Sequence, residues 1–154
     1  MAAVTCRRCR GATYRVLIVD DHPLARDMLA TLIRLDDHRL DLHSVCEAVS
    51  GEEAVARARV YKPHVILMDI RLPGMDGFEA ARKIREGLPS VQLIMVTAVG
   101  DSGERREATR LGTAGFLTKD QVGTDLVPLL SRVLDSLKAG PIDVSEDSGP
   151  SRQL

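Results

Sequence analysis

The 154-residue sequence predicts an α/β domain: a doubly wound sheet of five parallel strands flanked by five helices. Three observations lead there. Short, β-branched-rich apolar runs alternate with amphipathic stretches along the chain. The runs are β-branched-rich and too short for helices, as buried parallel strands should be. Repeated strand–helix units wind into one sheet by right-handed crossovers, and for a chain of this size the commonest strand order is 2-1-3-4-5.

The strands, in order, are Val16–Val19, Leu42–Val49, Val65–Met68, Val91–Val96 and Ala114–Leu117. After the first, Leu24, Met28, Leu32 and Leu35 fall on one helical face. Ser50–Glu53, Asp76–Glu79 and Asp101–Glu104 have the form of capping boxes and open the next three helices. Phe78, Ala81 and Ile84 share a face of the helix after the third strand, and Leu126, Leu130, Val133 and Leu137 do so in the last helix. Pro128 is expected near the start of that last helix, where a missing N–H is better tolerated than in the middle.

Composition is that of an ordinary globular protein, with 44% hydrophobic and 28% charged residues. Aromatics are only 3%, so the core must be built from Val, Leu, Ile, Met and Ala. A formal net charge of −1 creates no overall field for nucleic acid or anionic lipid. No apolar run reaches membrane-spanning length and the N-terminus has no signal-peptide stretch, so a cytoplasmic location is expected. Cys6 and Cys9 have C-x₂-C spacing without a second pair, and Cys46 sits in an apolar run; incidental thiols are the expectation, a metal or redox role the alternative. Residues 1–13, with Arg7, Arg8 and Arg10, read as a flexible basic tail, solubilising rather than binding nucleic acid or an acidic partner. Residues 139–154 read as a disordered, linker-like tail, leaving 14–138 as the folded unit.

Function shows at the strand ends. Asp20 and Asp21 follow the first strand, Asp69 the third, Thr97 the fourth, and Lys119 comes just after the fifth. A parallel sheet puts all its carboxyl ends on one edge, so these residues meet in one patch. An acidic residue at a strand end is usually a helix cap or a solvated loop residue, and Asp20 or Asp21 would cap the helix beginning near Pro23 on that reading. The constellation outweighs the single positions. Clustered carboxylates raise one another's pKa or demand a cation, and an all-oxygen set suits Mg²⁺, which keeps waters and phosphate oxygens as further ligands. Lys119 adds a mobile point charge and Thr97 a hydroxyl donor for an anionic oxygen. The set points to phosphoryl chemistry.

These residues resemble the flavodoxin-like fold's CheY-like receiver family, over about 14–138. Asp20-Asp21 resembles its acidic pair, and Met68 to Gly77 (MDIRLPGMDG) its phosphoacceptor segment. Thr97-Ala98 and Lys119 fill its switch-hydroxyl and lysine positions. CheY is itself a type example of the 2-1-3-4-5 order, which the resemblance therefore also implies. Asp20-Asp21-His22-Pro23, Gly112 to Leu117 and Lys119-Asp120 are similar to NarL/FixJ-type receivers, which usually carry a helix-turn-helix output domain after the receiver.

The resemblance implies a response regulator of a two-component phosphorelay. Asp69 would accept a phosphoryl group from a sensor histidine kinase or phosphotransfer protein. Asp20, Asp21, Asp69 and the backbone carbonyl of Arg71 would hold Mg²⁺, or Mn²⁺ in its place. Thr97 and Phe116 would be the switch, changing the face formed by the fourth helix, last strand and fifth helix to control an unknown protein target. Family members often pair through that face when phosphorylated. Arg71 and Val99 flank the water path in the family, and neither orients a water, so slow autodephosphorylation is expected.

A stand-alone receiver that binds neither nucleic acid nor membrane directly is the leading expectation. The alternatives are the receiver part of a DNA-binding regulator without its output domain, and a pseudo-receiver that is not phosphorylated. A small aspartyl phosphatase would place a second acid where Arg71 stands, so no enzyme acting on outside substrates is expected. His22, His38, His43 and His64 lack metal-ligand spacing and receive no role.

Overall fold

Residues 14–138 are described in the computed structural model; the expectations for 1–13, with Cys6 and Cys9, and for 139–154 lie outside the described residues. The chain runs β1 (Tyr14–Val19), α1 (Pro23–Leu35), α2 (Asp37–Leu40), β2 (Leu42–Ala48), α3 (Gly51–Tyr61), β3 (Val65–Asp69), α4 (Gly77–Gly87), β4 (Gln92–Thr97), α5 (Ser102–Leu111), β5 (Gly115–Thr118) and α6 (Val122–Lys138). The sheet is parallel throughout, in the expected order β2-β1-β3-β4-β5. The five expected helices are present. The one addition is α2, a single turn with buried Leu40, ended by Asp41 in the left-handed region at φ 52°. The fourth and fifth helices of the sequence reading are thus α5 and α6.

Alternation along the strands divides the core in two. Val16, Ile18, Val65, Leu67, Ile94 and Val96 face α1, α2 and α6; Leu17, Val19, Ile66, Met68, Leu93 and Met95 face α3, α4 and α5. Burial on both faces explains why the inner strands β3 and β4 read as near-continuous apolar runs, whereas the edge strand β2 carries His43, Ser44 and Glu47 and is only partly buried.

The N-cap half of each expected capping box forms, but the reciprocal bond from the Glu to the N-cap N–H does not. Ser50, Asp76 and Asp101 each accept the backbone N–H three residues on, from Glu53, Glu79 and Glu104. Glu53 closes back on the N–H of Val49 rather than of Ser50. Phe78, Ala81 and Ile84 are buried as expected.

Two expectations need correction. On α1 the buried residues are Leu29, Ala30 and Ile33, while Leu24 is 84% exposed, Leu35 70% and Met28 also exposed; of the expected stripe only Leu32 packs on the core. This helix is apolar on two sides, so periodicity alone does not select the inner one. Pro128 lies inside α6, six residues after its first residue, not near its start. It removes the N–H that would bond the carbonyl of Thr124, while Leu126 and Leu130 on either side stay fully buried. No helix among the described residues is long and apolar enough to cross a membrane.

Candidate functional site

The site lies along the carboxyl edge of the sheet. Asp20 follows β1 directly, with its N–H bonded to the carbonyl of Ala48 at 3.2 Å, so the β1–β2 pairing continues to that residue. Asp69 is the last residue of β3 and Thr97 the last of β4. The N–H of Lys119 bonds the carbonyl of Thr97 at 2.7 Å, which carries the β4–β5 pairing one step past β5. Backbone ladders therefore place the residues. Gly77 completes the frame: its N–H bonds the carbonyl of Ile70 at 2.8 Å, and a Cβ there would lie 2.1 Å from the carbonyl oxygen of Asp69. Only glycine lets α4 start this close to the end of β3.

Asp20 and Thr97 are fully buried and Asp69 is 3% exposed. Lys119 joins the acids: its Nζ lies 2.9 Å from Asp20 Oδ2 and 3.4 Å from Asp69 Oδ2. Burial pushes the Asp69 carboxyl up to about 6, with the Asp20 charge adding to the effect and Lys119 and the Arg71 N–H, 3.2 Å from Oδ1, opposing it. The Lys119 ammonium is pulled down by its burial but raised on balance by Asp20 and Asp69. One cation thus serves two buried carboxylates.

The donor set fits a divalent cation. Asp20 Oδ2 and Asp21 Oδ1 are buried without a hydrogen bond, although cationic or ring nitrogens lie close to both. One ligand atom from each of Asp20, Asp21, His22 and Asp69 lies within 4.8 Å of the others. Oxygen donors with unsatisfied lone pairs suit a hard ion. Neither acid caps α1. Its N-cap is His22, which has no side-chain cap bond, and its N–H donates to Asp20 Oδ1 at 2.9 Å. Thr97 Oγ1 is likewise buried and unpartnered, a hydroxyl free to donate. Phe116 is half-buried against the α3–α5 side of the core, with the Arg105 guanidinium 4.6 Å from its ring centroid.

All the expected side chains of the acidic site therefore converge, and Arg71 lies in the loop after Asp69, where its carbonyl was expected to contribute. Two further residues join. His22 Nδ1 is 3.1 Å from Asp21 Oδ1 and 3.3 Å from Asp20 Oδ1, a placement that its adjacency to the acidic pair already signalled. Glu104, read only as a capping-box residue, is 12% exposed and holds Arg71 Nε at 3.0 Å. Of the other histidines, His43 is exposed and His64 Nδ1 accepts the Arg15 N–H at 3.0 Å; the side chain of His38 is outside the described residues. Cys46 is a free thiol.

The response regulator receiver domain model matches residues 16–131. Response regulator GacA of Pseudomonas protegens is 39% identical over 105 residues, 68% of this chain and 48% of that protein. Transcriptional regulatory protein LnrK of Bacillus subtilis is 35% identical over 119 residues, 77% of this chain and 53% of that protein. The chain spans about half the length of these curated relatives. Among solved structures, the signal receiver domain of NarL from Mycobacterium tuberculosis superposes with a TM-score of 0.69 at 32% identity, covering 84% of this chain and 98% of that one. A CheY-like receiver from Methanospirillum hungatei, with a TM-score of 0.75 at 24% identity over 83% of this chain and 98% of its own, shares the fold. Fold, acidic edge and relatives agree: the chain belongs to the response regulator receiver domain family, as the receiver of a two-component response regulator.

Proposed function

We propose that this receiver takes a phosphoryl group onto Asp69 from a phosphohistidine on a sensor histidine kinase or phosphotransfer protein. The observation that carries this is the convergence of buried Asp69 and Asp20 on one lysine, beside an unpartnered Thr97 hydroxyl. In the transfer, an Asp69 carboxylate oxygen bonds to phosphorus as the donor's N–P bond breaks, and the electron pair stays on the imidazole. Lys119, 3.4 Å from Asp69 Oδ2, binds a phosphoryl oxygen and offsets the charge that develops. Asp20, Asp21, Asp69 and the Arg71 carbonyl would hold Mg²⁺, or Mn²⁺ in its place, which when bound neutralises carboxylate and phosphoryl oxygens. The Thr97 hydroxyl then donates to the new phosphoryl group, and Phe116 turns inward behind it. Phosphorylation biases two packings because only one of them offers these contacts. The chain promotes only its own transfer and hydrolysis, and the α5-β5-α6 face is the surface read by the target or by a second phosphorylated copy.

The test is intact mass after incubation with Mg²⁺ and a small acyl-phosphate donor. One added phosphoryl group, lost on chelation and in Asp69→Asn, is expected. A gain that persists in Asp69→Asn would overturn the acceptor assignment, and no gain would favour the pseudo-receiver. With neither Arg71 nor exposed Val99 offering a carboxamide or carboxylate to orient a water, the phosphoryl half-life is expected well beyond seconds; decay within seconds in buffer refutes this.

A second reading is favoured by the length comparison: the receiver part of a DNA-binding transcriptional regulator. A relative named as a transcriptional regulatory protein is about twice as long as its matching stretch. A helix-turn-helix reading frame directly downstream in the source DNA would establish it; an unrelated frame there favours a stand-alone receiver.

A further inference from the structure

Charge, more than apolar burial, fastens α5 to the domain. Its sequence is SGERREATRL; only Ala108 is buried, and Leu111 at the far end is partly buried against the same core cluster. Three arginines reach it from outside. Arg71, in the loop after Asp69, places Nε 3.0 Å from Glu104 Oε1 and Nη2 3.7 Å from Asp101 Oδ2, the N-cap of the helix. Arg82 on α4 pairs with Glu107, and Arg85 donates to the carbonyl of Leu111 at the far end. These contacts are spread along the whole helix.

The Arg71 contact differs from the other two. Glu104 is mostly buried and its second oxygen, Oε2, has no partner at all, so the guanidinium compensates a charge that water reaches poorly. Arg71 is also tied to the acceptor, because its backbone N–H donates to Asp69 Oδ1. Its side chain is about half exposed and therefore free to change partners. Arginine binds phosphate in a bidentate fork, and a phosphoryl group carries about twice the charge of a carboxylate.

We propose that Arg71 is a positioning residue: it clamps the first turn of α5 in the resting domain, and negative charge added at Asp69 draws its guanidinium away from Asp101 and Glu104. Release of that turn moves Arg105, which lies over Phe116, and so reaches the aromatic switch. The clamp rests on contacts of the resting domain. Its release rests on the phosphoryl-acceptor reading.

Amide hydrogen exchange on the full chain tests both parts. In chelator and without phosphodonor, Arg71→Gln is expected to raise exchange in residues 102–106 about five- to tenfold, with α6 unchanged. Raising NaCl tenfold does the same to the parent protein and adds little to the variant. Should Arg71→Gln loosen the whole domain, Glu104→Gln decides, since it keeps the size of the side chain and removes its charge. Unchanged exchange in 102–106 for both variants overturns the clamp. In the parent carrying one added phosphoryl by mass, exchange in this turn is expected to reach the Arg71→Gln level. A phosphorylated parent with an unmoved turn overturns the release. Failure to gain the mass counts against the acceptor reading, while the resting measurements still decide the clamp.

Discussion

The two helices that flank β5 are held in opposite ways. From α6, Val122, Leu126, Leu130, Val133 and Leu134 enter the core, whereas α5 buries only Ala108, with Leu111 partly buried at its end, and is pinned at its ends and middle by arginines from elsewhere. Full burial of a large aliphatic side chain contributes about 1.5–3 kcal/mol, without direction and almost without regard to salt. An exposed ion pair contributes about 0–1 kcal/mol, is directional and is screened. One side of β5 is thus a fixed base. The other can be moved by a change in charge. If Asp69 takes a phosphoryl group as proposed, the added charge acts more strongly on a helix fastened by charge than on one fastened by burial.

The sharpest way to break this comparison is to damage each helix in its own terms. Leu130→Ala empties a fully buried position on α6 and is expected to cost about 2–5 kcal/mol in urea unfolding. A cost below about 1 kcal/mol would mean that α6 is not the rigid partner.

Next in size is the cost of the buried Asp69 carboxyl. Asp69 has its carboxyl raised from 3.8 to about 6, so between those values the folded chain holds a proton that the unfolded chain has lost. In chelator, stability therefore falls as pH rises through that window, and the penalty is complete above about 6. The interval corresponds to at most about 3 kcal/mol. Asp69→Asn is expected to stabilise the metal-free domain by up to that amount at pH 7.5 and to lose the advantage near pH 4. Urea melts at the two pH values measure it; a variant no more stable than the parent at pH 7.5 contradicts it.

The smallest effect sharpens the α5 side. Arg82→Ala removes the half-exposed guanidinium that pairs with Glu107 and should cost less than about 1 kcal/mol at low salt, shrinking further in 0.5 M NaCl. A loss that is large and independent of salt would show that packing, not charge, holds this end of the helix.

Much of this was legible in the sequence because it is local or periodic. Ser50, Asp76 and Asp101 cap their helices through bonds that span three residues, and such bonds survive any tertiary arrangement. The acids and the lysine were legible for a related reason. Each stands at or next to the end of an apolar run, and a parallel sheet gathers all such ends on one edge. α1 resisted reading because its residues offer two apolar stripes, and only the docked partner decides between Leu24 and Leu29. Pro128 resisted because proline weakens a helix without stopping one whose neighbours Leu126 and Leu130 are buried.

By itself, then, the sequence determined the alternation of strands and helices, the capped starts and the set of residues brought to the acidic edge, since these follow from steric preference, hydrogen bonds of short span and burial patterning. Only the tertiary structure decided that Arg71 meets Glu104 across 33 residues and that α5 is left with one buried side chain. Those outcomes depend on how separate elements pack. Interactions of that range have no periodicity or spacing along the chain by which to announce themselves.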